Sequence, residues 1–123
     1  MTREAFELEL PPSAEHLGTA RSFAAALARS FGASGESIED LKLAVSEACT
    51  DAITSDRRVR IRALLEKGAL GFEIDAPDDP GTAEGLAGTG APSRVDLVRT
   101  LFPDATSTTS GDRRMLRFSL PLR

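Results

Sequence analysis

The spacing of the hydrophobic residues switches between every second and every third or fourth position, and the order of those switches leaves few folds open. Phe6, Leu8 and Leu10 alternate with Glu7 and Glu9, which predicts a half-buried strand closed by Pro11-Pro12. Two helical stripes follow with no strand between them. Leu17, Ala20, Phe23, Ala24, Leu27 and Phe31 form the first, in a helix expected to open at Ser13. Ile38, Leu41, Val45, Ala48 and Ala52 form the second. Its start is placed at Ser37, where Ser-Ile-Glu-Asp reads as a capping box with Asp40 reaching back. Alternation returns at Val59, Ile61, Ala63 and Leu65. After a Lys67-Gly68 turn it resumes at Leu70, Phe72, Ile74 and Ala76, an antiparallel hairpin.

Residues 77–93, PDDPGTAEGLAGTGAPS, carry too much Gly and Pro for a packed element and predict a long loop or lid. Ser93 and Asp96 then open a third helix with Val95, Val98, Leu101 and Phe102 on its face, ended by Pro103. Ala105 to Ser110, a Gly111-Asp112 turn, and Met115, Leu116, Phe118 and Leu120 predict a closing pair of strands. The resulting order, β-α-α-β-β-loop-α-β-β, predicts an α/β (α+β) two-layer sandwich. Three helices would cover one face of a mixed, mostly antiparallel sheet of about five strands. With 123 residues and no repeat or linker, residues 1–123 are expected to form one domain.

Composition then removes function classes. Fifteen basic residues against nineteen acidic ones leave a net charge of −4, which argues against direct nucleic-acid binding. No apolar run is long enough to span a membrane, and MTREAFELEL lacks the apolar centre of a signal peptide, so a cytoplasmic protein is expected. The single cysteine, Cys49, lies among apolar neighbours and reads as a buried structural thiol. His16, the one histidine, reads as inert, and no Walker or Rossmann glycine loop occurs. The sharpest local feature is LKLAVSEACTDAI, where Glu47 and Asp51 stand four residues apart on one helix face. On spacing alone the two acids read either as a solvated acidic face or as a site for a metal or a hydroxyl substrate. Two arginine clusters, Arg57, Arg58, Arg60, Arg62 and Arg113, Arg114, Arg117, read as solvated strand faces or as a docking surface for an acidic partner segment.

LKLAVSEACTDA resembles the N-box of the bacterial anti-sigma factor serine kinases of the GHKL superfamily, "L-x-L-A-V-S-E-A-x-T-N-A", and departs from it at the Asn. The opening FELELP, the segment FGASGESIEDLKLAV and the closing VDLVRTLFPDA…GDRRMLRFSLPL occur in family order, so the resemblance covers nearly the whole chain. It implies the histidine-kinase-like ATPase fold. It also implies that Glu47 is the general base acting on a serine hydroxyl of a partner protein. Asp51 takes the place of the magnesium-ligating Asn, adding charge and losing an amide donor.

The adenine box Asp-x-Gly-x-Gly is met by DAPDDPGTA, with Asp79 (or Asp78) as the adenine acid, Gly81 as first glycine and Ala83 in place of the second. Pro92-Ser93-Arg94 stands where a glycine pair cradles phosphates, while Gly88 and Gly90 lie just upstream. Arg94 brings bulk where phosphate oxygens need room, and charge that attracts them. The glycine-threonine of the last hairpin appears as Gly111-Asp112-Arg113. Nucleotide-binding positions by resemblance are therefore Asp51, Asp79, Gly81, Gly88, Gly90 and Arg94, with residues 77–93 a degenerate ATP lid. The leading expectation is an anti-sigma-factor-like regulator that needs no cofactor. It would exchange a sigma factor of RNA polymerase and an anti-sigma factor antagonist, as a monomer or homodimer. The alternatives are an active serine/threonine kinase using ATP and magnesium, and a scaffold subunit with no sigma factor involved.

Overall fold

Two helices between the first and second strands bring the chain back to the end of the sheet where the first strand finished, so the second strand must run against the first. A computed structural model describes residues 5–11, 13–55, 58–66, 68–77, 94–111 and 113–122, with the backbone alone at 51–55, 77, 94 and 95. Strand β1 (Ala5–Leu10) leads to helices α1 (His16–Ser30) and α2 (Gly35–Ser55), then to the hairpin β2 (Val59–Glu66) and β3 (Ala69–Pro77). Helix α3 (Arg94–Leu101) and the hairpin β4 (Thr106–Ser110) and β5 (Arg113–Pro121) complete the described chain. The sheet order is β1-β2-β3-β5-β4.

Every neighbouring pair in this sheet is antiparallel, so the expected mixed, mostly antiparallel sheet is antiparallel throughout. The crossover through α3 does give β4 the direction of β3. β5 inserts between them, so those two strands never pair. Gly68, at φ 75°, and Gly111, at φ 62°, supply the left-handed residue in the two hairpin turns.

Alternation sorts the sheet into two faces. Ile61 and Ala63 of β2, Phe72 and Ile74 of β3, and Leu116, Phe118 and Leu120 of β5 are buried under the helices. α2 contributes Ile38, Leu41, Ala44, Val45, Ala48 and Cys49 to the same core. α1 buries Ala20, Ala24, Ala25 and Ala28, while Leu17, Phe23, Leu27 and Phe31 are only partly covered. The centre of its buried face therefore lies nearer Ala25 and Ala28 than the expected stripe. Methyl side chains let α1 and α2 approach closely, and the larger residues wrap the margins of that contact. Phe102, just past α3, stacks on Phe118 with centroids 4.8 Å apart, and Phe118 stacks on Phe72 at 5.6 Å. This three-ring series ties α3 to the centre of the sheet. On the outer face Glu73 lies between Arg117 (2.7 Å) and Arg62 (3.7 Å), and Asp75 pairs with Arg113 at 2.9 Å.

Helix starts differ from expectation for local reasons. α2 begins at Gly35, and its cap is Ser34: the Ser37 N–H donates to Ser34 Oγ at 3.1 Å and the Ile38 N–H to the Ser34 carbonyl at 3.0 Å. Ser37 occupies the third helical position, so Asp40 closes no box. α1 begins at His16 because Ser13 serves the turn before it; its N–H donates to the Pro11 carbonyl and its own carbonyl accepts from His16. α1 ends in a Schellman motif, with Gly32 at φ 88° and the Ala33 N–H donating to Ala28 at 2.9 Å. α3 starts one residue after Ser93, the expected cap, which lies outside the described residues.

Phe118→Ala should cost about 3–5 kcal/mol in chemical unfolding, because it removes the middle ring of the stack. Ser34→Ala should cost about 1 kcal/mol. Ser37→Ala should cost less, since its backbone N–H still reaches the Ser34 hydroxyl.

Candidate functional site

The buried stripe of α2 fixes the side from which Glu47 looks out. Ala44 and Ala48 face the core, so Glu47, between them in sequence, is carried to the side of the helix next to α3. Its half-buried side chain lines a recess of about 210 Å3 with Leu43 of α2 and Leu97, Thr100 and Leu101 of α3. Thr100 Oγ1 donates within its own helix to the Asp96 carbonyl at 3.0 Å, so the recess is walled mainly by leucine. Asp51 follows one turn beyond Glu47, and its backbone places it on the same face of α2.

Arg94 is the first residue of α3, known by its backbone. Asp79, Gly81, Gly88 and Gly90, with Asp78, Ala83, Pro92 and Ser93, lie outside the described residues, as does Asp112. The structure thus brings Glu47 and Asp51 onto one helix and sets the start of α3 within the helix layer that packs on α2. Carboxylate oxygens suit magnesium, and of the expected pair Glu47 is described with its side chain and Asp51 by its backbone alone. The same two charges oppose a triphosphate. The recess at Glu47 also falls below the roughly 300–1,000 Å3 typical of small-molecule sites. Among the described residues no three His, Cys, Asp or Glu side chains are grouped as a metal centre.

The arginine clusters have specific places. Arg62, Arg113 and Arg117 sit on the outer face of the sheet against Glu73 and Asp75. Arg113 also donates to the carbonyls of Asp75 (3.1 Å) and Arg58 (3.2 Å), so it clamps β5 to β3 and to the residue before β2. Arg57 lies outside the described residues. His16 is half-buried at the start of α1, with Nε2 3.7 Å from Glu15 Oε1.

Two residues beside Glu47 escaped the sequence reading. Leu43 and Leu97 are 52% and 39% exposed, the large hydrophobics left uncovered among the described residues. Each is a leucine that falls off the apolar stripe of its own helix, which takes on meaning only once α2 and α3 stand side by side.

Cys49 is buried, and desolvation pushes its thiol from the ordinary 9.0 up to about 12. The unfolded thiol ionises first, so its contribution to stability is complete below pH 9 and is lost as pH rises toward 12. Unfolding at rising pH should therefore show a decline that Cys49→Ala lacks, with a slope of at most about 1.4 kcal/mol per pH unit. Native protein should resist thiol reagents that modify the denatured chain.

Serine-protein kinase RsbW from Bacillus pumilus is 35% identical over 89 residues, covering 66% of this chain and 54% of that protein. RsbW from Halalkalibacterium halodurans is 36% identical over 76 residues, covering 62% of this chain and 43% of that protein. The chain thus spans about half the length of these relatives. The structure of the RsbU and RsbW domains of a Mycobacterium tuberculosis protein superposes with a TM-score of 0.76 at 15% identity, over 97% of this chain and 32% of that one. That likeness shows the fold. Residues 10–115, which span all three helices and strands β2, β3 and β4, match the histidine kinase-like ATPase domain, and the chain belongs to that family.

Proposed function

We propose that this protein is an anti-sigma-factor-like regulator of the cytoplasm. It binds a sigma factor and an antagonist protein in exchange, with ATP binding and kinase activity weakened or lost. The observation that carries the reading is an asymmetry along the chain. By the sequence resemblance, the first strand, the two long helices and the closing hairpin keep the family's order. The positions given to nucleotide and metal depart from the family's motifs: Asp51 replaces Asn, Ala83 replaces a glycine, and Pro92-Ser93-Arg94 replaces the phosphate cradle. A rigid Pro and a bulky Arg remove the backbone freedom and close approach that such a cradle requires.

Without a covalent step, switching needs only a difference in affinity, and about 1.4 kcal/mol gives a tenfold preference. Sigma factor and antagonist should therefore displace each other according to their concentrations, with the same curves in the presence and absence of ATP and magnesium. Competition with purified partners measures this directly. ATP-dependent displacement accompanied by a phosphorylated antagonist would refute it.

The second reading, an active serine/threonine kinase, is favoured by one observation: Glu47 is retained and sits half-buried at the edge of an open recess. Thermal unfolding separates the two. A nucleotide at 100 times its dissociation constant adds about 2.7 kcal/mol of stability. A clear rise with ATP and magnesium would promote the kinase. In that case Glu47→Ala should abolish phosphoryl transfer while sparing nucleotide binding, because the base acts on the acceptor hydroxyl.

A further inference from the structure

The recess between α2 and α3 is built for a particular kind of occupant. Leu43 and Leu97 come from different helices, both are exposed, and both converge on it with Leu101 beneath them. Leaving two leucines in water at one spot is costly unless something covers them. At about 210 Å3 the recess takes an aliphatic side chain rather than a nucleotide or a folded element. Its surroundings add a charge preference. Glu36, Asp40, Leu43 and Glu47 recur along the α2 face that borders it, at offsets of four, three and four residues. Among the described side chains of the two helices the cations are Lys42, which pairs with Glu39 at 3.0 Å, and Arg99, which binds the Ala105 carbonyl and Asp96. An acidic peptide or a nucleic acid would be repelled by this rim.

We propose that the Leu43–Leu97 recess seats an aliphatic anchor residue of a partner protein, on a segment that carries lysine or arginine beside the anchor. The inference rests on reading the chain as a protein-binding regulator, and it names the surface and the chemistry of the partner. The anchor supplies affinity by displacing water from the leucines, and the basic neighbour selects the segment through the α2 carboxylates.

The test uses the full chain and two fluorescein-labelled helical peptides, each with one pair of leucines on a single face. The flanking residues are lysine in one peptide and glutamate in the other. The lysine peptide should bind, and Leu43→Ser or Leu97→Ser should each weaken it about tenfold or more. Asp40→Asn with Glu36→Gln should weaken it about two- to fivefold at low salt. Arg29→Ala, on α1, should change nothing. Leu43 is the more exposed of the two leucines, so Leu43→Ser alone decides the matter should the other variant unfold. Equal binding of the glutamate peptide, or wild-type affinity in the leucine variants, overturns the proposal. So does the absence of any peptide binding together with a lowered melting temperature for Leu43→Ser, since residues of this chain then cover the recess.

The two readings fail separately. Leucine-dependent binding of the lysine peptide, with no sigma factor or antagonist bound, removes the regulator and keeps the recess. Partner exchange that persists unchanged in both leucine variants removes the recess and keeps the regulator.

Discussion

The packing of α2 is the constraint on which the other parts depend. This helix touches α1, α3, β3 and β5, and it does so through a face of Ile38, Leu41, Ala44, Val45, Ala48 and Cys49. Three of those six are small, which lets neighbouring backbones and sheet side chains come close enough to exclude water. A larger residue at Ala44 or Ala48 would push α3 or the sheet away and shift the three stacked phenylalanines with it. The register of that stripe also determines everything on the opposite side of the helix. Glu47 points toward α3 because Ala44 and Ala48 point inward. The candidate chemistry is thus a by-product of core packing carried a third of a turn around one helix.

Much of this was legible beforehand because two periodicities suffice to describe it. Period-two segments gave four of the five strands, with β1 and the β2–β3 hairpin nearly at their observed ends. The short polar strand β4 was readable only through the turn after it. What the pattern left undetermined was pairing. Nothing in the alternation of Leu116, Phe118 and Leu120 says that β5 inserts between β3 and β4, because that choice is made by burial from both flanks. Helix starts were misplaced for a related reason. Ser34 and Ser37 are both competent caps, and the choice rests on which hydroxyl reaches a free N–H three residues on. At the candidate site, Glu47 was legible through its motif. Leu43 and Leu97 were not, because an exposed leucine becomes informative only when another, distant in sequence, stands beside it.

The two faces of the sheet divide the electrostatic roles. On the outer face Glu73 and Asp75 are matched by Arg62, Arg117 and Arg113 across three strands, a lattice of neighbours that holds β5 in register. Arg113 spends its donors on Asp75 and on the Arg58 carbonyl, which places it in the scaffold. Those pairs answer the question raised by the clustered arginines. Three of the charges are committed within the chain and contribute little to long-range attraction of a partner.

The α2–α3 side works by the opposite logic. Its leucines Leu43 and Leu97 are exposed and Glu36, Asp40 and Glu47 recur along one wall, outside the buried stripe that holds the helix in place. Residues that hold the fold together are buried on the inner stripe of α2, whereas those available for recognition lie on the outer one. A separation of this kind lets substitutions at the recognition face accumulate without unfolding the protein. On the proposed reading the same holds between β3 and α3, where Pro92, Ser93 and Arg94 stand at positions that the resemblance gives to a glycine pair. Nucleotide binding needs several backbone groups placed at once, and it fails when a few of them change. A protein-binding face distributes its energy over anchors that can be replaced one at a time. If the proposed drift of the phosphate-binding positions holds, a chain that keeps its helices and sheet is expected to retain partners longer than it retains ATP.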